Sequence, residues 1–338
     1  MTTVLVTGSQ GFLGSYICNE LLSFGYDVIG IDDYSKYGPV VRAHDCHPRF
    51  KLYVEDVVGI EARDLQRFEA VDFIVAGAAM IGGISYFHRF AYDLLAENER
   101  IMASTFDLAL HLKNVGRLKR IIVISSSMVY ESAVIFPTPE GAELVSPPPI
   151  STYGFQKLAC EYFCKGAWQQ HGLPYTIVRP FNCVGVGEQD AISDSEILSG
   201  NVKLMMSHVL PDIVNKCMQG QYPLRILGSG DQVRCYTNGR DIARAFRLII
   251  ESDVAMNNAY NISTSRVTTV SELAEIVWNE LGDSRSLCFE HDAPFEHDVQ
   301  HRVPSVSLAR EQLGFEAEVD LETSVREVIA WFQGRVTS

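Results

Sequence analysis

Two side chains that could move a proton, Tyr153 and Lys157, lie four residues apart in a segment whose apolar pattern predicts a helix over 153–169. This spacing places a phenol and an ammonium on one face of the helix. The positive charge of Lys157 would favour the phenolate form of Tyr153, which makes the phenol a base for a hydroxyl proton. Spacing alone is weak evidence in a chain with 14 tyrosines. A catalytic role for the pair therefore requires suitable groups beside this helix in the fold.

A serine triplet, 125–127, follows the apolar run 121–124, which predicts a strand that ends at these hydroxyls. Ligands of open parallel sheets bind at the carboxyl ends of the strands. We therefore expect Ser126 beside Tyr153, where the serine hydroxyl would hydrogen-bond the same substrate oxygen that Tyr153 deprotonates. Ser127 and Met128 are predicted substrate contacts.

A glycine-rich turn follows the first predicted strand, 3–6, and opens a predicted helix over 16–24. Glycines at this place let a pyrophosphate approach the backbone and the helix N-terminus. The next strand leads into Asp32, eighteen residues beyond Gly14, where a carboxylate can accept both hydroxyls of an adenosine ribose. Asp32 would repel a 2′-phosphate and no Arg sits beside it, so the predicted cofactor is NAD rather than NADP. The predicted contacts are Gly8, Gln10, Gly11, Phe12, Leu13, Gly14, Asp32, Asp33, Asp56, Val57, Ala76, Tyr153 and Lys157.

Short apolar runs alternate with helix patterns through the first 180 residues, which is typical of right-handed crossovers and a parallel, doubly wound sheet. After Arg179 the strand signals become sparse, and helices are predicted over 203–218, 241–252, 269–281, 305–313 and 321–332. The helix near Thr269 begins with a capping-box pattern that ends at Glu272. We predict an α/β fold with a Rossmann-like NAD-binding domain over 1–180, a returning segment near 225–260, and a smaller C-terminal α/β substrate lobe over 181–338.

Composition narrows the range of partners. The 338 residues are 47% hydrophobic and 21% charged, as expected of a chain with a real core. The formal net charge of −14 repels nucleic acid and anionic membranes, so an anionic substrate needs a local cluster of Arg and Lys. The eight cysteines form no CxxC pair and the first residues lack a signal-peptide pattern, so a cytoplasmic location is expected. The histidines at 44–47 and 291–301 lack the ligand blocks of zinc sites, and no metal is expected.

The chain resembles the extended short-chain dehydrogenase/reductase family, in its NAD-dependent nucleotide-sugar epimerase and dehydratase branch. The matching segments follow in order along the whole chain: TGSQGFLG, the Asp32 strand end, SSSMVY (125–130), YGFQK (153–157), RPFN (179–182), GSGDQVRC (228–235) and HRVPSVSLAREQLGF (301–315). The resemblance implies a nucleoside-diphosphate sugar as substrate and a homodimer formed through the helices at 94–112 and 153–169. The site residues that it implies are catalytic Ser126, Tyr153 and Lys157, Asn98 beside the cofactor, and Asn182, Arg234 and Arg302 on the diphosphate.

One departure from the family separates the possible reactions. The dehydratases carry a Glu, and the 3,5-epimerases and the fucose synthase a Cys, at the position of Met128. A thioether cannot donate a proton, so the residues favour epimerisation, at C4 through a transient ketone. A GDP-sugar 3,5-epimerase or an oxidoreductase of the same family is the alternative, indicated by the segments 78–84 and 207–211, with His208 as a spare acid/base. An alternative of another class is a non-catalytic NAD-binding regulator.

Overall fold

A seven-stranded parallel sheet forms the centre of the computed structural model, which describes residues 1–81, 90–188, 209–293 and 299–336. The strand order is β3-β2-β1-β4-β5-β6-β11, so the winding direction reverses between β1 and β4 and a crevice opens there at the carboxyl ends. The predicted doubly wound parallel sheet is confirmed. The strands are β1 (Thr3–Thr7), β2 (Asp27–Asp32), β3 (Phe50–Val54), β4 (Phe73–Ala76), β5 (Arg120–Ile124), β6 (Tyr175–Pro180) and β11 (Asn258–Ile262).

Helices cover both faces of this sheet, which is why the central strands are apolar on both sides. On one face, α1 (Phe12–Ser23) and α5 (Gly239–Glu251) pack over β1 and β6, with α7 (Ser307–Leu313) at their edge. On the other face, α2 (Ala91–Asn114) and α3 (Thr152–His171) pack over the same strands. Each core contains side chains from one face of the sheet, so helices on both faces hold the sheet in position.

The ends of two helices are defined by local hydrogen bonds. The Ser151 hydroxyl accepts the backbone N–H of Gly154 at 3.0 Å and so starts α3 two residues before Tyr153. At α6 (Val270–Leu281) the predicted capping box is confirmed, since Thr269 and Glu272 bond each other's backbone N–H. Tyr153 therefore lies in the first turn of its helix, at the carboxyl end of the sheet.

A second core lies beside the sheet. It is formed by α4 (Val209–Met218), α6 and α8 (Leu321–Val336), together with side chains from short strands. The contributing short strands are β7 (Cys183–Val184), β8 (Leu224–Leu227) and β13 (Phe289–Asp292). The other short strands are β9 (Val233–Arg234), β10 (Thr237–Asn238), β12 (Thr268–Thr269) and β14 (His301–Arg302). No helix among the described residues is long and apolar enough to cross a membrane.

The chain after Arg179 contains more strand than its sequence signals indicate. Five of the short strands are only two residues long and pair with distant segments, so no local period of two can reveal them. β11 returns to the central sheet and pairs with β6 in parallel. Of the helix predicted over 203–218, the structure describes α4 from residue 209, and 203–208 lie outside the described residues.

Candidate active site

One cavity of about 710 Å³ lies at the carboxyl ends of β1, β2, β4 and β5. The sheet side contributes the glycine turn, Asp32 and the serine triplet, and α3 contributes Tyr153 and Lys157. The short strands β9 and β14 contribute Arg234 and Arg302. Residues predicted separately for cofactor, catalysis and substrate therefore line a single cavity.

The glycine turn is too tight for side chains. A Cβ on Gly14 would lie 2.0 Å from the carbonyl oxygen of Gly8, so α1 can pack against the turn only with glycine there. Gly8 itself has φ +74° and faces Ala78, where a Cβ would meet the backbone nitrogen at 2.9 Å. Gly11 caps α1 with its backbone alone. The turn thus brings the N-terminus of α1 to the cavity, and the first N–H groups of a helix, which have no partner within it, suit a pyrophosphate.

Asp32 is held at the end of β2 by two backbone donors. Its oxygens accept the N–H of Gln10 at 2.9 Å and of Tyr34 at 2.8 Å. Burial raises the pKa of Asp32, and these two hydrogen bonds together with the charge of Arg42 oppose that rise. The carboxylate is thus oriented towards the cavity at the place where the ribose hydroxyls are expected.

Arg42 corrects the expectation that no Arg sits beside Asp32. Its guanidinium donates twice to the carbonyl oxygen of Gln10, at 3.0 and 2.7 Å, and its charge acts on Asp32. The Gln10 side chain in turn donates to Asp45 at 2.9 Å. Arg42 could not be expected from the sequence because nine residues of loop separate it from Asp32, and nothing in that loop indicates that it folds back on the glycine turn.

The remaining predicted cofactor residues lie around this end of the cavity with one exception. Asp33 and Asp56 accept backbone N–H groups two residues further on, at 2.9 and 2.8 Å, which are turns that their own loops require. Ala76 is buried at the end of β4, and the residues that follow it line the cavity instead. The lining residues of this group are Phe12, Leu13, Asp33, Asp56 and Val57.

Asn98 acts on the cavity through the loop after β4. From α2 its amide accepts the N–H of Met80 at 2.7 Å and donates to the Met80 carbonyl at 2.9 Å. Asn98 is 1% exposed, while Met80 lines the cavity. The resemblance placed Asn98 beside the cofactor. In the structure, its two hydrogen bonds to Met80 hold the loop that follows β4.

The predicted catalytic residues come together at the end of β5. Lys157 is buried and donates to the carbonyl oxygen of Ile124 at 3.0 Å, and its Nζ lies 6.0 Å from the ring centre of Tyr153. The Ser126 hydroxyl accepts the N–H of Met128 at 3.2 Å, which starts a 3₁₀ turn at Ser127–Tyr130. A phenol, an ammonium and a hydroxyl therefore line one end of the cavity, which is the set that removal of a hydroxyl proton needs.

The predicted substrate residues lie opposite, on paired short strands. Arg302 of β14 is the direct partner of Arg234 in β9, so both guanidinium groups come from one small sheet. Nη2 of Arg302 lies 2.8 Å from the Met128 sulfur. Asn182, with φ +38°, directs its amide to the Cys235 carbonyl at 3.5 Å. Ser127 and Met128 line the same region, and His208 lies outside the described residues.

Tyr236 is a further lining residue that sequence reasoning missed. Burial raises its pKa to about 12, while the charges of Arg234 and Arg302 act in the opposite direction. Its position two residues after Arg234 is a signal that could have found it, because alternate residues of extended chain share a face. The two arginines therefore have an aromatic neighbour at the substrate end.

Comparison with known proteins identifies the family of this chain. Residues 4–263 match the sequence model of the NAD dependent epimerase/dehydratase family. The chain is 25% identical over 330 residues to a putative UDP-glucose 4-epimerase of Methanocaldococcus jannaschii, covering 98% of both chains. It is 26% identical over 342 residues to a probable GDP-L-fucose synthase of Oryza sativa subsp. japonica, covering 99% of this chain and 93% of the other.

Solved structures show the same fold. A UDP-glucose 4-epimerase of Thermotoga maritima, determined with UDP-glucose, matches with a TM-score of 0.79 at 24% identity, covering 99% of this chain and 100% of the other. A UDP-glucuronic acid 4-epimerase of Bacillus cereus, in complex with UDP-glucuronic acid and NAD, matches with a TM-score of 0.82 at 20% identity and the same coverage. At these identities the likeness concerns the architecture.

Proposed function

This chain belongs to the NAD dependent epimerase/dehydratase family, and on that premise we propose that it interconverts two nucleoside-diphosphate sugars that differ in configuration at C4. One observation carries the proposal. The Tyr153, Lys157 and Ser126 side chains line the same cavity as the Asp32 end and as the arginine pair. Such a cavity offers a dinucleotide subsite at one end and an anionic sugar-nucleotide subsite at the other.

The residues at the Asp32 end fit NAD. The glycine turn leads a pyrophosphate to the N-terminus of α1, whose first N–H groups have no partner within the helix, and Asp32 is already oriented by two backbone donors. An ammonium has three N–H groups, of which Ile124 takes one from Lys157, so Lys157 also has donors to direct at a ribose. NAD supplies a hydride acceptor that can return the hydride within one turnover.

The proton steps belong to α3 and the serine turn. Tyr153 would take the proton from the C4 hydroxyl, with Lys157 stabilising the phenolate and Ser126 hydrogen-bonding the reacting oxygen. The resulting 4-keto sugar then presents its other face. Tyr153 returns the proton to the new hydroxyl, so the protein ends the cycle in the state in which it began.

The arginine pair supports a diphosphate substrate. Arg234 and Arg302 are cross-strand neighbours, and guanidinium forks suit the oxygens of a diphosphate. Their local charge offsets the repulsion that a net charge of −14 exerts on an anion. With Asn182 they define the proposed nucleotide-sugar end of the cavity.

A GDP-sugar 3,5-epimerase or a net oxidoreductase is the second candidate, favoured by the 26% identity to a GDP-L-fucose synthase. Against it stands Met128, whose sulfur contacts Arg302 and offers no proton. A regulator that binds NAD without turnover is the candidate of another class, and the intact catalytic set argues against it.

We extend the proposal to assembly and location. The exposed faces of α2 and α3 carry large apolar side chains, which supports a homodimer through these helices: Tyr92, Phe155, Tyr162 and Trp168. All eight cysteines are free thiols, which supports the cytoplasm. The proposed NAD-binding domain is 1–180 with a returning segment near 225–260, supported by α5 against α1, and 181–338 mainly form the substrate lobe.

The proposed function is tested by NMR of the purified protein with UDP-, GDP-, CDP- and dTDP-sugars and no added cofactor. One sugar should convert to its C4 epimer until an equilibrium mixture forms. Conversion that stops unless NAD or NADH is supplied would support the oxidoreductase instead. Bound NAD without product from any sugar would support the regulator.

A further inference from the structure

A buried ion cluster adjoins the serine turn and takes no part in the reaction as described so far. It consists of Arg179, Glu161, Glu143, Ser125 and Tyr130, and we name it the Arg179 cluster. Arg179 lies in β6 with 0% exposure, and Glu161 is equally buried in α3. A buried guanidinium is costly unless it is paired and hydrogen-bonded, so these partners have to be arranged around it.

The contacts of the cluster are short and directional. Arg179 donates from Nε and Nη2 to the two oxygens of Glu161 at 2.8 and 2.7 Å, a bidentate pair. Nη2 also lies 2.8 Å from Glu143, and Nη1 donates to the Tyr130 hydroxyl. The Ser125 hydroxyl donates to Glu161 at 2.7 Å. One guanidinium thus bonds side chains from three other segments of the chain.

Two of those segments, the serine turn and α3, carry the catalytic groups. Ser125 immediately precedes Ser126 at the end of β5, and Tyr130 ends the 3₁₀ turn that Ser126 starts. Glu161 lies one helical turn beyond Lys157, on the same face of α3. Any shift of α3 relative to β5 would therefore have to break a bond of the cluster.

We propose that the Arg179 cluster fixes the distance between Ser126 and the catalytic face of α3. Ser125 and Glu161 are then positioning residues of the proposed epimerase reaction, and the inference rests on that proposed function. Stability alone does not account for the cluster, because apolar groups of similar volume often stabilise a core as well as a buried ion pair does. A bidentate pair does supply what apolar packing lacks, a fixed orientation.

The sharpest test combines Ser125→Ala with Ser126→Ala. Ser125→Ala removes one hydrogen bond and almost no volume, so kcat should fall about tenfold through misplacement of the serine turn. KM should change less than about twofold, because the substrate contacts remain. In the Ser126→Ala background the same change should cause no further loss. If the fold-loss of kcat in the double variant equals the product of the two single fold-losses, the positioning role is contradicted.

Ser125 also lines the cavity, so the NAD content of each variant is measured alongside. Equal NAD content is expected in Ser125→Ala and in the unmutated protein. A loss of NAD that accounts for the loss of kcat would make Ser125 a cofactor contact and would contradict the inference.

A matched pair of arginine variants tests the centre of the cluster. Arg266 makes an exposed bidentate pair with Glu322, at 2.7 and 2.8 Å, which joins the loop after β11 to α8. Arg179→Lys should lower kcat at least tenfold, whereas Arg266→Lys should leave it unchanged. A folded Arg179→Lys with full kcat would overturn the proposal, and if this variant does not fold, the serine series decides.

The activity of the unmutated protein distinguishes failure of this inference from failure of the proposed function. If it converts a sugar to its C4 epimer and the serine effects multiply, only the positioning role fails. If it converts no nucleotide sugar, the proposed function fails and the inference fails with it.

Discussion

The cofactor end and the substrate end of the cavity are held in place by different kinds of contact. At the cofactor end, backbone groups of adjoining segments hold the side chains. Asp32 accepts the N–H of Gln10 and of Tyr34, and Lys157 donates to the carbonyl of Ile124. These donors and acceptors are present wherever the strands and the glycine turn form, so the geometry follows from the fold of the sheet.

At the substrate end, the functional side chains depend on pairings between distant segments. Arg234 and Arg302 lie on strands of only two residues, and these strands form through pairing of β9 with β14 on one side and with β12 on the other. Arg302 also contacts the Met128 sulfur, which belongs to the sheet side. Changes at the cofactor end should therefore affect cofactor and chemistry, whereas changes at the substrate end should affect binding of the sugar nucleotide.

The largest effect is expected from Tyr153→Phe, at the junction of the two ends. Loss of the proposed base should lower kcat on the order of 10³-fold. NAD content should be unchanged, because the change removes one oxygen and little volume. Stopped assays of turnover and absorbance of released NAD measure the two quantities. Tyr162→Phe, an exposed tyrosine of the same helix, is the control and should keep full activity.

Gly14→Ala should disrupt both the packing of α1 against the glycine turn and the binding of NAD. Its Cβ would meet the Gly8 oxygen at 2.0 Å, so α1 must move away from the turn. The free energy of unfolding should fall by about 2 kcal/mol, and NAD should be lost on purification. In Gly166→Ala the Cβ of an exposed glycine within α3 meets no atom within 4 Å, and that variant should be about 1 kcal/mol more stable. Equal thermal unfolding of the two variants would contradict the tight turn.

Arg234→Ala should act at the substrate end alone. KM should rise about 10- to 100-fold for every accepted sugar, because a diphosphate contact is made in both the ground state and the transition state. kcat and NAD content should change little. Arg225→Ala, which removes an exposed arginine paired with Asp292, is the control. A loss that depends on the sugar would place Arg234 against the hexose and weaken the contrast between the two ends.

The smallest effect concerns the choice of cofactor. Asp32→Ser should narrow the preference for NAD over NADP about tenfold, since it removes the carboxylate that repels a 2′-phosphate.

The affinity for NAD should also depend on pH. The ionised carboxylate of Asp32 binds the ribose, so NAD affinity is present above the pKa of Asp32 and lost as pH falls through it. Because burial raises that pKa, the loss should begin at a higher pH than for an exposed Asp. Titration of apoprotein with NAD and with NADP checks both expectations. Equal affinities of the unmutated protein for the two dinucleotides would contradict the role of Asp32 in cofactor choice.

The same contrast explains how much could be predicted from the sequence. Short-range patterns were enough to predict the parallel sheet, the glycine turn, Asp32 and the catalytic set. Each of these features shows a fixed period or spacing over a short stretch of sequence. Tyr236 could have been found from its position two residues after Arg234. Arg42 was missed because its position results from a loop that folds back on the glycine turn. The two-residue strands were missed for the same reason, since pairing with distant residues creates them.

The central claim, epimerisation at C4 with hydride return, is tested most directly by running the reaction in deuterated water with the accepted sugar. The account predicts that both epimers remain free of carbon-bound deuterium in the NMR spectrum, because the hydride removed from C4 is the one returned to it. Deuterium at C3 or C5 would indicate a 3,5-epimerase that passes through enols, and deuterium at C6 a dehydratase. Either label would contradict the account.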